Sequence, residues 1–151
     1  GEESRMGETN SDRVRAFLRG LHDPVQPDLT RAMADFAEDA LYQSLVPSRP
    51  PIRGREKIQR ELEQQFQRYS DCECEILAIA ESERQVFTER RDHVTMKAWD
   101  KRIYSSVNAV FDFDDAGRIV AWREYWDTAD IARQLGLSAD EMQAMHAPET
   151  T

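Results

Sequence analysis

Three long stretches in the second half of this chain, residues 84–97, 101–113 and 118–127, alternate apolar and polar side chains with a period of two. Only an extended strand puts every second side chain on one face, so these stretches are read as strands of one sheet. Short polar turns such as Asp114-Asp-Ala-Gly117 join them, so neighbours should run antiparallel. A further strand is expected at 72–80. The first half carries another period. Val14, Phe17, Leu18 and Leu21 recur at helical spacing behind Ser11, a candidate cap, and Pro24 and Pro27 end that helix. A second helix starts at Asp28 with Leu29, Met33 and Phe36 on one side. A short strand, Ala40–Val46, stops at the rigid segment Pro47-Ser-Arg-Pro-Pro51. Gly54 leads into an amphipathic helix over 55–69, with Ile58, Leu62, Gln65/Phe66 and Tyr69 as its stripe. Helices return at 128–135 and 138–145, the second opened by the capping-box spacing Ser138-Ala-Asp-Glu141. Helices followed by a meander of long strands define an α+β fold with the helices on one face of a curved sheet. Residues 1–9 and 147–151 read as polar tails, which leaves 10–146 as a single domain.

Composition narrows the function. The 151 residues are 40% hydrophobic, enough to build a core without disulfides. They carry 29 acidic against 20 basic side chains, a net charge of −9, so phosphate backbones and anionic lipid would be repelled. Neither nucleic acid nor a membrane is expected as a partner. No apolar run approaches the roughly 18–20 residues of a membrane span and the N-terminus does not read as a signal peptide, so a soluble, cytoplasmic protein is expected. Cys72 and Cys74 would share a strand face too closely for an easy disulfide, and His22, His93 and His146 lack metal-ligand spacing. There is no glycine-rich phosphate loop and no Gly-x-Ser-x-Gly elbow. No metal or cofactor is therefore expected, and any chemistry falls to carboxylates, arginine, tyrosine and water.

Strand parity locates such groups. One face of 84–97 holds Val86, Thr88, Arg90, Asp92, Val94 and Met96, an apolar face with an ion pair at its centre. Charges facing a core are costly unless paired, so this is either a structural pair on a half-buried face or a functional site. Val107, Ala109, Phe111 and Phe113 form an apolar wall on the next strand. On 118–127, Ile119, Ala121, Arg123, Tyr125 and Asp127 share one face, and Val120, Trp122, Glu124 and Trp126 the other. The first set is taken as inward. Asp127, where the strand turns into a helix, either caps that helix or projects into a cavity. Tyr42 and Ser44 share a face of the short strand. Two aspartates, an arginine, a tyrosine and a serine in one concavity would drive the two carboxyl pKa values apart, giving one acid and one base.

The segments Leu41-Tyr-Gln-Ser44, Thr88-Glu-Arg-Arg-Asp92, Ala109-Val-Phe111 and Gly117-Arg-Ile-Val-Ala-Trp-Arg-Glu-Tyr-Trp-Asp127 resemble the limonene-1,2-epoxide hydrolase family. That family belongs to the nuclear-transport-factor-2-like, or SnoaL-like, superfamily. The resemblance runs from about residue 11 to 136. It implies a cystatin-like curved, mixed sheet forming a cone-shaped pocket closed by N-terminal helices. It also implies one-step hydrolysis of a small lipophilic epoxide to a vicinal diol, without metal or cofactor. Asp127 would be the general base, Asp92 the general acid and Arg90 the bridge between them. Tyr42 would help hold the water, with Ser44 standing where the family has asparagine. Val107, Ala109, Phe111, Tyr125, Val94 and Met96 would line the substrate pocket. Three alternatives share the fold: an epoxide-opening cyclase, an isomerase of the ketosteroid-isomerase kind, and a non-catalytic ligand-binding module. Trp122, Trp126 and Val120, taken as outward, together with Asn108 and Val110, suggest a homodimer over the outer sheet face.

Overall fold

The computed structural model describes residues 8–23 and 27–146. Most of both tails, together with Pro24, lies outside that range. The chain runs α1 (Asn10–Leu21), α2 (Leu29–Met33), β1 (Phe36–Gln43), β2 (Ile52–Arg53), α3 (Arg55–Gln67), β3 (Tyr69–Glu81), β4 (Gln85–Met96), β5 (Lys101–Phe113), β6 (Ile119–Trp126), α4 (Thr128–Leu135) and α5 (Ala139–His146). Thr9, not Ser11, caps α1. Its hydroxyl accepts from the Asp12 N–H while the Asp12 carboxylate accepts from the Thr9 N–H, a reciprocal box that Ser11 cannot form from inside the first turn. The expected box at Ser138 and Glu141 forms, with both bonds at 3.1 Å. Phe36 opens β1 instead of extending α2, and β1 ends at Gln43, short of Val46.

The six strands form one sheet in the order β2-β1-β6-β5-β4-β3. Every pairing is antiparallel except β1 with β6, which is parallel. β3 departs from regular register twice against β4, between Ser70 and Glu73 and between Ile76 and Ala78. Extra residues of this kind bend a strand and increase its twist, and so curl the sheet's end around a concavity.

The helices cover the concave face. Val14, Phe17, Leu18 and Leu21 of α1 are all buried. Phe17 meets Phe36 at 5.2 Å and Trp122 at 5.1 Å, and meets Phe111 edge-on at 6.0 Å. Ile58 and Leu62 of α3 close the same core. A second cluster joins Ile131, Ala132 and Leu135 of α4 to Met96, Ile103 and Met142 at the other end of the sheet. The site described next lies between the two clusters.

Strand β6 corrects the sequence reading. Ile119 pairs with Phe113, but Ala121 pairs with Asp112, so β6 advances two residues while β5 advances one. Val120 is the extra residue of a bulge, and beyond it the alternation is reversed. Trp122 and Glu124 therefore face inward, whereas Tyr125 is 41% exposed on the opposite face. Trp126 also turns in, its indole N–H donating to the Ser44 carbonyl at 2.8 Å. The two tryptophans cannot build an outer dimer surface.

Candidate active site

The concavity encloses about 990 Å³ once its open, solvent-facing mouth is counted. Tyr42, Ser44, Arg90, Asp92, Val94, Met96 and Val107 line it, as the sequence led one to expect. Ala109 and Phe111 are buried but belong to the core beneath. Two expected members are elsewhere. Tyr125 points out of the sheet. Asp127 is exposed and caps α4, its Oδ1 accepting from the Ala129 N–H at 2.9 Å. The open alternative for Asp127 is thus decided for the cap, because the Val120 bulge turns the inward parity onto Glu124.

Arg90 is the centre of the site, 2% exposed. Its Nε donates to Asp92 at 2.9 Å to Oδ1 and 3.1 Å to Oδ2. Its Nη2 donates to Glu124 Oε1 at 2.8 Å, and Nη1 touches Oε2 at 2.6 Å without a well-aligned hydrogen. One guanidinium thus bridges two carboxylates on neighbouring parts of the concave face. Its fork geometry suits this, since it offers parallel donors along two edges. Trp122 adds a donor, its indole N–H reaching Glu124 Oε2 at 3.2 Å.

Asp92 has further partners. Its Oδ2 lies 3.6 Å from His22 Nε2, and the Cys74 thiol donates to it. Burial pushes its pKa up, but the Arg90 cation, His22 and the two hydrogen-bond donors outweigh burial and hold it below the usual carboxylate value. Burial and the neighbouring Asp92 carboxylate push the Cys74 thiol up to about 12, so it is a proton donor here and not a nucleophile. Burial and the Glu124 charge also raise Tyr42, which keeps its proton. Tyr42 stacks on Trp122 at 4.3 Å, and its hydroxyl meets the Gln65 carboxamide, with Nε2 at 3.2 Å.

The sequence reading missed Glu124, Gln65 and His22. Glu124 was visible as the inward neighbour of Trp122 only if the bulge was known. Gln65 sits on the pocket side of α3, on the stripe already read as apolar. His22 follows Leu18 by four residues, which continues the buried stripe of α1 into the cavity. Among the described residues, no group of three or more His, Cys, Asp or Glu is placed to hold a metal ion.

A curled α+β sheet with helices over its concave face, enclosing a pocket, is the NTF2-like, SnoaL-like fold. A Catenulispora acidiphila protein with a ketosteroid isomerase-like fold, solved with trimethylamine, superposes with a TM-score of 0.75 at 17% identity, over 87% of this chain and 98% of the other. A Shewanella denitrificans protein described as a SnoaL-like polyketide cyclase gives 0.74 at 12% identity, over 84% and 96%. Within that class, the family model of the limonene-1,2-epoxide hydrolase catalytic domain matches residues 8–136, and the chain belongs to that family. An LEH-like epoxide hydrolase from M. tuberculosis is 28% identical, with a TM-score of 0.70 over 93% of this chain and 96% of that one.

Proposed function

We propose that the protein is an epoxide hydrolase that adds water to a small or mid-sized lipophilic epoxide in one step and releases a vicinal diol. The observation that carries this reading is Arg90 bridging Asp92 and Glu124 at 2.6–3.1 Å inside a largely apolar pocket. Glu124 is the base. It accepts a proton from the attacking water as the new C–O bond forms. Asp92 is the acid side of the pair, the carboxylate through which a proton reaches the ring oxygen as its bond to carbon breaks. Arg90 keeps the base ionised and fixes the distance between the two groups. Tyr42, Gln65 and Ser44 surround the water with hydroxyl and carboxamide groups, Gln65 supplying an amide where Ser44 is short. Proton transfers and ring strain balance the step with groups present in this chain, each transfer contributing about 10²–10⁴-fold.

An isomerase of the ketosteroid-isomerase kind fits less well, because an oxyanion hole needs a neutral acid and Asp92 touches a guanidinium. An epoxide-opening cyclase would use the same acid and base with a substrate hydroxyl as nucleophile. Ser44, small enough to leave room for such a hydroxyl, favours keeping this second reading. The LEH-like relative from M. tuberculosis supports epoxide chemistry in general. The functional assembly we propose is a homodimer, with the substrate and water as its only other partners.

The test is diol formation from racemic terminal, cyclic and aryl epoxides in ¹⁸O-water. Hydrolysis places one labelled oxygen in the product, whereas cyclisation places none. Asp92→Asn and Glu124→Gln should each lower turnover by about 10²-fold or more while still unfolding in one cooperative transition. Retention of more than about a tenth of the rate in either variant sinks the paired mechanism.

A further inference from the structure

His22 ends α1 with its ring in the pocket, facing the acid side of the pair. Its Nδ1 lies 2.9 Å from the Leu18 carbonyl oxygen. A carbonyl only accepts, so Nδ1 carries the hydrogen. The other nitrogen, Nε2, lies 3.6 Å from Asp92 Oδ2. With Nδ1 committed, Nε2 either bears a second proton and the ring is cationic, or it presents a lone pair to a carboxylate. Two lone pairs at that separation repel, so one proton belongs between them, on Nε2 or on Oδ2.

Charge counting gives the same answer. Arg90 contributes one positive charge, Asp92 and Glu124 one negative charge each, which leaves a buried excess of one negative charge. One proton on the His22–Asp92 pair makes the cluster neutral while leaving Glu124 free to act as base. Among the described residues, the pocket wall also brings Arg49, paired with Glu61 at 3.5 Å. From α3 comes the Phe66 ring, edge-on at 6.2 Å, with Arg68 further along the pocket wall. From β3 come the neutral Cys74 thiol on Asp92 and the Tyr69 phenol, whose burial keeps it protonated. From β4 come Asp92 and Arg90. The C-terminal carbonyls of α1, beside which the ring lies, favour a cation there.

We propose that His22 stores the proton that reaches the substrate oxygen. It acts through Asp92, as a positioning residue that keeps an acid available beside Arg90. This inference rests on the epoxide-opening reading of the site. As the ring C–O bond breaks, Asp92 takes the single shared proton from Nε2 and passes it to the oxygen, and is itself left ionised. His22 is left neutral with Nδ1–H on Leu18. Glu124 now holds the proton from water and loses it to solvent after product leaves, while His22 regains one.

Two measurements test the proposal. In the first, the His22 ring nitrogens and the Asp92 carboxyl carbon are followed together by NMR on the wild-type protein without substrate. The expected result is the Nδ1–H tautomer when neutral and a single shared titration step for both groups. Two independent steps, or the Nε2–H tautomer, overturn the proposal. In the second, kcat/KM on an accepted epoxide is measured against pH for wild type and His22→Gln, whose amide still donates to Asp92 but holds no labile proton. The alkaline limb should move to lower pH, with a loss of about 10²-fold at pH 7, the contribution of one acid. An unchanged profile overturns the proposal and makes His22 a helix-end fixture. If no epoxide yields diol yet the titration is shared, the hydrolase reading fails and the proton store stands. If diol forms and the steps are independent, the reverse holds.

Discussion

In the proposed mechanism the side chain that decides the chemistry is Glu124, and its rival is three residues away. Asp127 is spent on the N-terminus of α4, where its Oδ1 satisfies an otherwise unpaired N–H. Asp127→Asn keeps an acceptor there and should leave turnover within about threefold of wild type. Asp127→Ala should cost about 0.5–2 kcal/mol in urea denaturation, the usual loss for a cap, again with turnover kept. Inactivation by Asp127→Asn would return the base to that position and remove it from Glu124. Asp92 leaves its own trace in stability. Its folded pKa is held below the unfolded value of about 3.9. The ionised form thus stabilises the fold above that pH, and the contribution is lost as pH falls through the folded value. Melting curves of wild type and Asp92→Asn should differ at pH 7 and draw together as the pH falls; a gap that does not narrow with acid contradicts the ionised assignment.

At the scale of elements, sequence patterning was a reliable guide wherever alternation ran unbroken. β4 and β5 pair residue for residue over their whole length, and every inward side chain read from their parity is inward. β6 failed for a local reason. Ile119 and Trp122 are both buried, an odd spacing that no regular strand allows, yet Val120, Ala121 and Ile119 are all apolar and conceal the slip. Bulges are set by the pairing partner, here the step from Phe113 to Asp112, and so are invisible to a single-strand reading. His22 and Gln65 were missed because they lie on helical stripes read as core, and only packing reveals that both stripes run into a cavity. The helix–strand meeting of Gln65 with Tyr42 gives a prediction at this scale. Gln65→Leu removes one hydrogen-bonding group from the water's surroundings, about 0.5–1.5 kcal/mol, and should lower turnover roughly threefold to tenfold. Ser44→Asn in that background should restore part of the rate if water is the nucleophile. A further decrease would favour a substrate hydroxyl in its place.

For the whole molecule, the bulge that brings Glu124 into the pocket also determines what the sheet shows outside. Phe87, beside Val110 in register, and Tyr125, opposite Asn108, are presented on the outer face, with Phe87 and Tyr125 both more than two-fifths exposed. Asp112 and Arg123 form an ion pair at 2.7 Å on the same face, and Glu89 and Arg91 follow Phe87 along β4 opposite Asn108 and Ser106. A face with apolar side chains and both charge signs around them can pair with its own copy about a twofold axis, as an isologous dimer requires. A second copy of this chain is therefore the expected occupant, on different residues from those the unbroken parity suggested. A strongly acidic protein with a net charge of −9 repels its own copies at long range. The contact should accordingly tighten as salt screens that repulsion. Light scattering at tens of micromolar in about 0.15 M salt should give twice the 17.5 kDa chain mass. Phe87→Glu should return it to the monomer without touching the pocket. A monomeric mass for wild type, or a dimer undisturbed by Phe87→Glu and Tyr125→Glu together, rules out this face. Because β5 and β6 carry the proposed dimer face on one side and Val107 and Glu124 on the other, a monomeric variant with full turnover would also show that the site is complete within one chain.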